Sequence, residues 1–381
     1  MKLRFNLRLV FLLVLLLGLG IREVALDLRP SLVRPDLHLF AYVSNTGDGT
    51  VTAVNLVTLS TVATIHVGAQ PTGIRANPAR KEIWGLSTAD GTAWVLDVTT
   101  NAIVARIPVG AAPYALDFSA DGSRAYVAAS GSNTLVAIDC ATRQVVARAR
   151  TGRRPWIARV ADTGNIVAVS NRDDATLSVF DATSLAPRSV IPVTQSPEQV
   201  VILPDGSKAF VSSGSRDEIS AVDLKRGTLL SNISLGDRAD DLILKPDGGE
   251  LYILSSQAHG LIIVNTQTDE VGDFLLLGMS PSAGTLAPDA QTLYATDSAA
   301  GPIVPVLVQT RQLEKGTNGR DNLAISVGQN PITCLLSPGG DVLLVADAAS
   351  NDLAAIRVRT SSLMTLIPVG SRPRDLAVKS F

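Results

Sequence analysis

From Leu39 onward the chain alternates short apolar runs with short polar turns, the pattern of strands joined by tight hairpins. The alternation itself repeats. Gly68-Ala-Gln-Pro71, Gly110-Ala-Ala-Pro113 and Gly152-Arg-Arg-Pro155 follow one another at 42 residues. Thr194 takes the next step, Gly236 and Gly278 continue the series, and after one interval of 50 residues Gly328-Gln-Asn-Pro331 and Gly370-Ser-Arg-Pro373 complete it. A fixed period of this length marks a repeat architecture, in which each repeat is one supersecondary unit stacked on its neighbours.

Within each interval the order is constant: an apolar run after the proline, a tight turn, a second run, a polar loop, a third run, a short turn and a fourth run. The first turn is clearest at Pro204-Asp-Gly206 and Pro246-Asp-Gly248, where proline presets φ and glycine accepts the positive φ that follows. The second run reads Ala41-Tyr-Val-Ser-Asn45, Ala125-Tyr-Val-Ala-Ala129, Ala209-Phe-Val-Ser-Ser213 and Leu251-Tyr-Ile-Leu-Ser255. Runs apolar on both faces suit sheets packed between neighbouring sheets. The expected fold is therefore all-β, an eight-bladed β-propeller of four-stranded antiparallel blades. The blades fall at 39–67 with 373–381, 71–109, 113–151, 155–193, 197–235, 239–277, 281–327 and 331–369. The first blade takes its fourth strand from the C-terminus, which leaves no open sheet edge at the junction. The longer interval, in the seventh blade, predicts extra residues at 309–322, in the hairpin between its third and fourth strands.

Another column runs through Asn55, Asp97, Asp139, Asp181, Asp223 and Asn265. Their place at the end of each third strand, as in Asp97-Val-Thr99 and Asp181-Ala-Thr183, predicts side chains that cap turn backbone rather than a ring of metal ligands. Taken with Val136-Ala-Ile-Asp139 and Ile107-Pro-Val-Gly110, the repeat resembles the YVTN-type β-propeller family, over residues 39–381. That resemblance implies the fold and carries little about activity.

Before the repeats stand Lys2, Arg4 and Arg8, the apolar residues 9–21, then Arg22 and Glu23. Residues 1–20 read as a signal peptide, with Gly18 and Gly20 supplying the small residues of a cleavage site, or as an uncleaved signal anchor. Residues 21–38 read as a linker. An exported protein is expected, periplasmic, extracellular or anchored in the envelope, touching the membrane only through that segment. Composition agrees with a β fold: 46% of residues are hydrophobic and 18% charged, which disfavours disorder. With 33 bases against 35 acids, three of the bases in the leader, the chain lacks the basic excess of a nucleic-acid binder. A monomer is expected. Cys140 and Cys334 fall in different blades and in no ligand spacing, so free buried thiols are expected rather than a disulfide.

Candidate chemistry comes from what varies against the repeat. The residue entering each innermost strand reads Thr72, Tyr114, Trp156, Glu198, Asp240, Ser282, Ile332 and Arg374, and it should line the channel mouth. With Arg153, Arg154 and Arg372 beside it, this column offers one large aromatic plate, cationic forks and carboxylates. The candidate ligand-binding set is Tyr114, Arg153, Arg154, Trp156, Glu198, Asp240, Arg372 and Arg374, recognising a small polar ligand, a peptide or another protein. No catalytic residue, metal site or cofactor is assigned: His38, His66 and His259 lie outside the innermost strands, and no nucleophile with an adjacent base stands out. The alternative is a propeller enzyme, since eight blades resemble the d1-haem and quinoprotein propellers, with lactonase-like hydrolases as a further case.

Overall fold

The computed structural model describes residues 38–381 except 162, 300, 317, 318 and 320, so the leader and linker expectations for 1–37 lie outside the described residues. Leu39–Ser380 form one unit. Eight separate sheets make it up, each an antiparallel meander of consecutive strands with one exception at the chain ends. The expected all-β, eight-bladed propeller is what the chain forms. In the first blade Leu39–Asn45 pairs with Thr50–Asn55 on one side and with the C-terminal strand Pro373–Ser380 on the other.

Burial along each strand explains why these residues choose strands. Second strands such as Glu82–Ser87 are buried at every position, third strands such as Thr92–Asp97 are buried except at their ends, and fourth strands such as Gln144–Arg150 alternate exposed and half-buried. Only a sheet covered on both faces near the axis and open at the rim produces that gradient. Each core cluster spans two blades: Trp84, Leu86 and Val95 of the second pack against Leu116, Val127 and Ile138 of the third. Blades are also latched at their rims. Arg124 donates to the carbonyls of Ala182 and Thr183 in the next blade, Lys208 reaches Asp269 at 2.7 Å, and Arg143 reaches back to Glu82 at 2.8 Å.

The polar column caps turns as expected. The Asp139 carboxylate accepts from the Ala141 and Thr142 backbone at 3.0 and 2.8 Å, and Asn55 and Asn265 accept the same pair of N–H groups in their own blades. One expectation needs correction. In the seventh blade the third strand ends at Leu307 and the fourth begins at Gln312, the same interval as in the second blade. The extra residues instead interrupt the fourth strand, whose pieces Gln312–Leu313 and Ile325–Ser326 pair with opposite ends of Pro302–Leu307. Only the edge strand has an unpaired side from which a loop can leave without breaking a second ladder. Both cysteine thiols are free and buried.

Candidate functional site

Seven of the eight innermost strands begin on a proline: Pro71, Pro113, Pro155, Pro197, Pro281, Pro331 and Pro373. Proline has no N–H for the ladder, and the pairing with the second strand slips directly after it, between Pro155 and Ala158 and between Pro113 and Ala115, for example. In six of the seven strands the residue following the proline therefore leaves the ladder at the channel mouth, whereas Thr72 stays paired with Leu86 and the slip comes after it. Before the proline the backbone is left-handed at Gln70, Ala112, Arg154, Ser196, Asn330 and Arg372, with φ of 47–56°. The repetition makes this turn part of the scaffold, and it is what presents Arg154 and Arg372 at the rim.

A cavity of about 350 Å³ sits on the axis, lined by Thr72, Tyr114, Asp240, Ser282, Ile332 and Arg374 from the expected column, and below them by Arg75, Gln199, Asp241, Thr333 and Asp375. Beside it, a second cavity of about 500 Å³ is lined by Tyr114, Trp156, Arg153, Arg154 and Asp173. A third, with Arg372 and Arg374, lies where the eighth blade meets the first. The eight candidates are thus divided. Tyr114 and Arg374 each border two cavities and join them, the Arg374 guanidinium donating to the Tyr114 hydroxyl at 3.1 Å.

Trp156 is not the bare plate its sequence position suggested. Its ring stacks on Tyr114 at 3.6 Å, and the Arg172 guanidinium lies 4.4 Å from its centroid. Glu198 lines none of the three cavities and pairs with Arg172 at 2.7 Å. Arg153 is tied to Asp174, and Arg154 lies 3.6 Å from Asp173. Asp240 accepts the Ser256 N–H at 2.6 Å and lies 3.4 Å from Arg238. A ligand at the mouth would meet a preassembled aromatic and ionic ledge rather than separate free groups.

Further charges, outside the candidate set, lie one level deeper. Asp117 accepts from the N–H groups of Phe118 and, in the next blade, Val160, at 3.1 and 3.0 Å. Asp241 does the same with Leu242 and Gly284 at 3.0 and 2.9 Å. Asp375 accepts from Leu376 at 2.9 Å and pairs with Arg75 at 3.2 Å. Gln199 accepts the Leu242 N–H at 3.3 Å and donates to the Asp240 carbonyl at 2.9 Å. Burial inside the channel raises the Asp241 carboxyl to about 6 against the opposing effect of its backbone donors. The same desolvation lowers Arg159, whose positive charge Asp117 sustains. A signal was present: these residues stand one or three places after the mouth residue, alternate positions that point the same way along a strand otherwise apolar or small.

No protein-family model and no curated protein matches this sequence. Solved structures do. Dihydro-haem d1 dehydrogenase NirN in complex with DHE superposes with a TM-score of 0.72 at 15% identity, over 90% of this chain and 75% of that one. Hydrazine synthase of Kuenenia stuttgartiensis gives 0.60 at 17% identity over 76% and 96%, and a functionally unknown protein from Desulfotomaculum acetoxidans gives 0.57 at 11% over 89% and 98%. At such identities the likeness is one of fold, and the chain is an eight-bladed β-propeller whose chemistry rests on its own residues.

Proposed function

We propose that the chain is an extracytoplasmic binding scaffold of the YVTN-repeat type that takes a small polar ligand or peptide at the channel mouth. The axial cavity carries the reading. Its wall joins Arg75 and Arg374 to Asp240, Asp241 and Asp375, so both signs of charge converge on a volume of about 350 Å³, the size of a small-molecule site. The mixed wall favours a dipolar ligand over a purely anionic or apolar one. Binding should be followed by calorimetry with a panel of charged dipeptides. Tyr114→Ala and Arg374→Ala each remove a group shared by two cavities, and each should weaken binding roughly tenfold. Unchanged affinity in both variants would remove the mouth from the ligand's path.

The second reading is a redox propeller, favoured by the likeness to a dehydrogenase described in complex with DHE and to hydrazine synthase. The donor set fits a protein-ligated haem iron poorly: among the described residues the axial cavity is lined by no histidine, methionine or cysteine, and the hydroxyl of its one tyrosine, Tyr114, is engaged by the Arg374 guanidinium. His66 closes the outer strand of the first blade, and His259 Nδ1 lies 3.2 Å from Ser280 Oγ in a surface loop. An absorbance spectrum of protein purified from its native host separates the readings, because a stoichiometric chromophore would overturn the scaffold.

A further inference from the structure

The turn that carries Arg153 and Arg154 recurs where the eighth blade meets the first, with one change in its chemistry. The Thr46 N–H donates to the Arg372 carbonyl at 3.0 Å and the Gly47 N–H to that of Ser371 at 2.9 Å, as Arg172 and Asp173 donate to Arg154 and Arg153. Asp48 then accepts the Ser371 N–H at 2.8 Å, as Asp174 accepts that of Arg153. In this register Arg372 matches Arg154, but Gly47 stands where Asp173 lies 3.6 Å from Arg154. Arg372 is thereby left without an ion pair. So is Arg374, whose guanidinium donates to the Tyr114 hydroxyl. Among the described residues the other arginines that line the three mouth cavities, Arg75, Arg153 and Arg154, are all ion-paired.

We propose that the cavity between the eighth and first blades seats the carboxylate of a linear zwitterion, a short peptide with free ends, whose ammonium end lies in the axial cavity. This rests on the mouth being the binding site, and it deepens that reading by giving the ligand a polarity. The seat has a volume of about 610 Å³ and is lined by Arg372, Arg374, Asn330 and Asn351, with no carboxylate in its wall. Asn351 Oδ1 accepts the Arg372 N–H at 2.8 Å, which leaves its amide nitrogen as a donor. With Asp48 counted behind Ser371, two positive charges face one negative, a balance that a monoanion completes and a phosphate dianion overshoots. The seat shares Ile332 and Arg374 with the axial cavity, so one ligand can occupy both. Beyond Arg374 the axial wall has the opposite sign. Asp240, Asp241 and Asp375 outnumber Arg75 there, even with Arg238 reaching Asp240 from outside the wall at 3.4 Å. Opposite charges in two joined cavities select a ligand by its direction, and guanidinium forks match a carboxylate by geometry.

The test titrates the full chain by calorimetry with the di-, tri- and tetrapeptides of alanine, each with free ends, C-terminally amidated or N-acetylated. The tightest free-ended peptide should lose about tenfold on amidation and about tenfold on acetylation. In Arg372→Gln amidation should cost nothing further, while acetylation should cost what it costs the wild type. Arg372→Lys, which restores the charge, should recover part of the amidation penalty. The backbone N–H and C=O of residue 372 keep their bonds to Asn351 and Thr46 in both variants, so the turn is retained. An equal amidation penalty in the wild type and Arg372→Gln would refute the seat, and if Tyr114→Ala still weakened that peptide the mouth reading would survive. Peptide affinity indifferent to Tyr114→Ala, Arg374→Ala and Arg372→Gln alike would sink both. An acetylation penalty that vanishes in Arg372→Gln would reverse the polarity, and no binding by any free-ended peptide would overturn the proposal outright. Inorganic phosphate binding more tightly than acetate, at a site that Arg372→Gln abolishes, would replace the carboxylate with a dianion.

Discussion

At the scale of single residues, the eighth blade contains a contradiction that a proton resolves. Asp347 and Asp352 face each other across the ladder between the second and third strands. Asp347 Oδ2 accepts the Gly328 N–H at 3.0 Å, but the Oδ1 atoms of both residues are buried without a donor. At the same register the first and fourth blades carry Asn45 with Thr50 and Asn171 with Thr176, where the amide donates to the hydroxyl at 3.0 Å. Two carboxyls can settle there only by sharing a proton, so burial and mutual repulsion hold Asp347 well above the ordinary carboxylate range. A raised folded pKa gives stability that is complete in acid and lost as the pH climbs through the folded value. The wild type should therefore melt progressively lower toward alkaline pH. Asp347→Asn, which installs a permanent donor, should flatten that decline and gain roughly 1 kcal/mol at its alkaline end. An equal alkaline decline in wild type and variant would rule out the shared proton. Asp241 obeys the same sign in a lower window. Its carboxyl is raised to about 6, so its share of stability falls as pH rises from about 4, the unfolded value, through 6, and Asp241→Asn should abolish that slope in a melting series.

At the scale of the element, the turn after each third strand is closed by one side chain that does the work of a backbone carbonyl. Asp139 accepts two N–H groups and the Thr142 hydroxyl, which holds its carboxyl below the usual range. Asp139→Ala should cost about 1 kcal/mol, and Asp139→Asn close to nothing, because Asn55 and Asn265 perform the same task in other blades. Here the folded pKa is depressed, so the contribution exists at neutral pH and disappears as pH falls through it; the Asn variant should lack that acid dependence. Chemical denaturation of the pair checks both points, and an Asn variant as unstable as the Ala variant would show that charge, not geometry, holds the turn. Such caps were legible in the sequence because a short polar residue before Thr or Ser at a fixed period has few other uses. The ladder slips beside Pro113 and Pro155 were not legible, since proline announces a strand start without saying how many residues leave the pairing. For the same reason the seventh blade's extra length could be counted from the spacing, whereas its place within the edge strand could not.

At the scale of the whole molecule, the ring was legible because eight glycine or threonine markers and their spacing fix the number of blades, and because the chain starts on a second strand and ends on a first. The site was legible only in outline. Variation against the repeat pointed to a column most of whose residues line cavities at the channel mouth, but Trp156, Arg153 and Glu198 make pairs with Tyr114, Asp174 and Arg172 that no single sequence reveals. Asp117 and Asp375 were overlooked because an innermost strand was read only at its entrance. Those charges and the closure of the ring meet in one strand, Pro373–Ser380. It pairs with Leu39–Asn45 from Leu39↔Ser380 to Asn45↔Pro373, buries Leu376 and Ala377, and carries Asp375 to Arg75 in the neighbouring blade. Removing 373–381 would leave a three-stranded first blade whose second strand shows bare N–H and C=O groups to the axis, and a channel wall with one panel missing. The loss should exceed several kcal/mol, since it adds about 2 kcal/mol for the buried leucine to an opened ladder and an unpaired Arg75. Truncation alone cannot separate closure from burial, so a permutant completes the test. Joining the ends by a short linker and opening the chain between the second and third blades, at the exposed Ala111, keeps every strand but moves the closure elsewhere. The permutant should melt cooperatively near the wild type, while the truncation should lose its cooperative transition. Equal melting of truncation and wild type would mean that the ring is held by its blade-to-blade cores and that the terminal strand is dispensable.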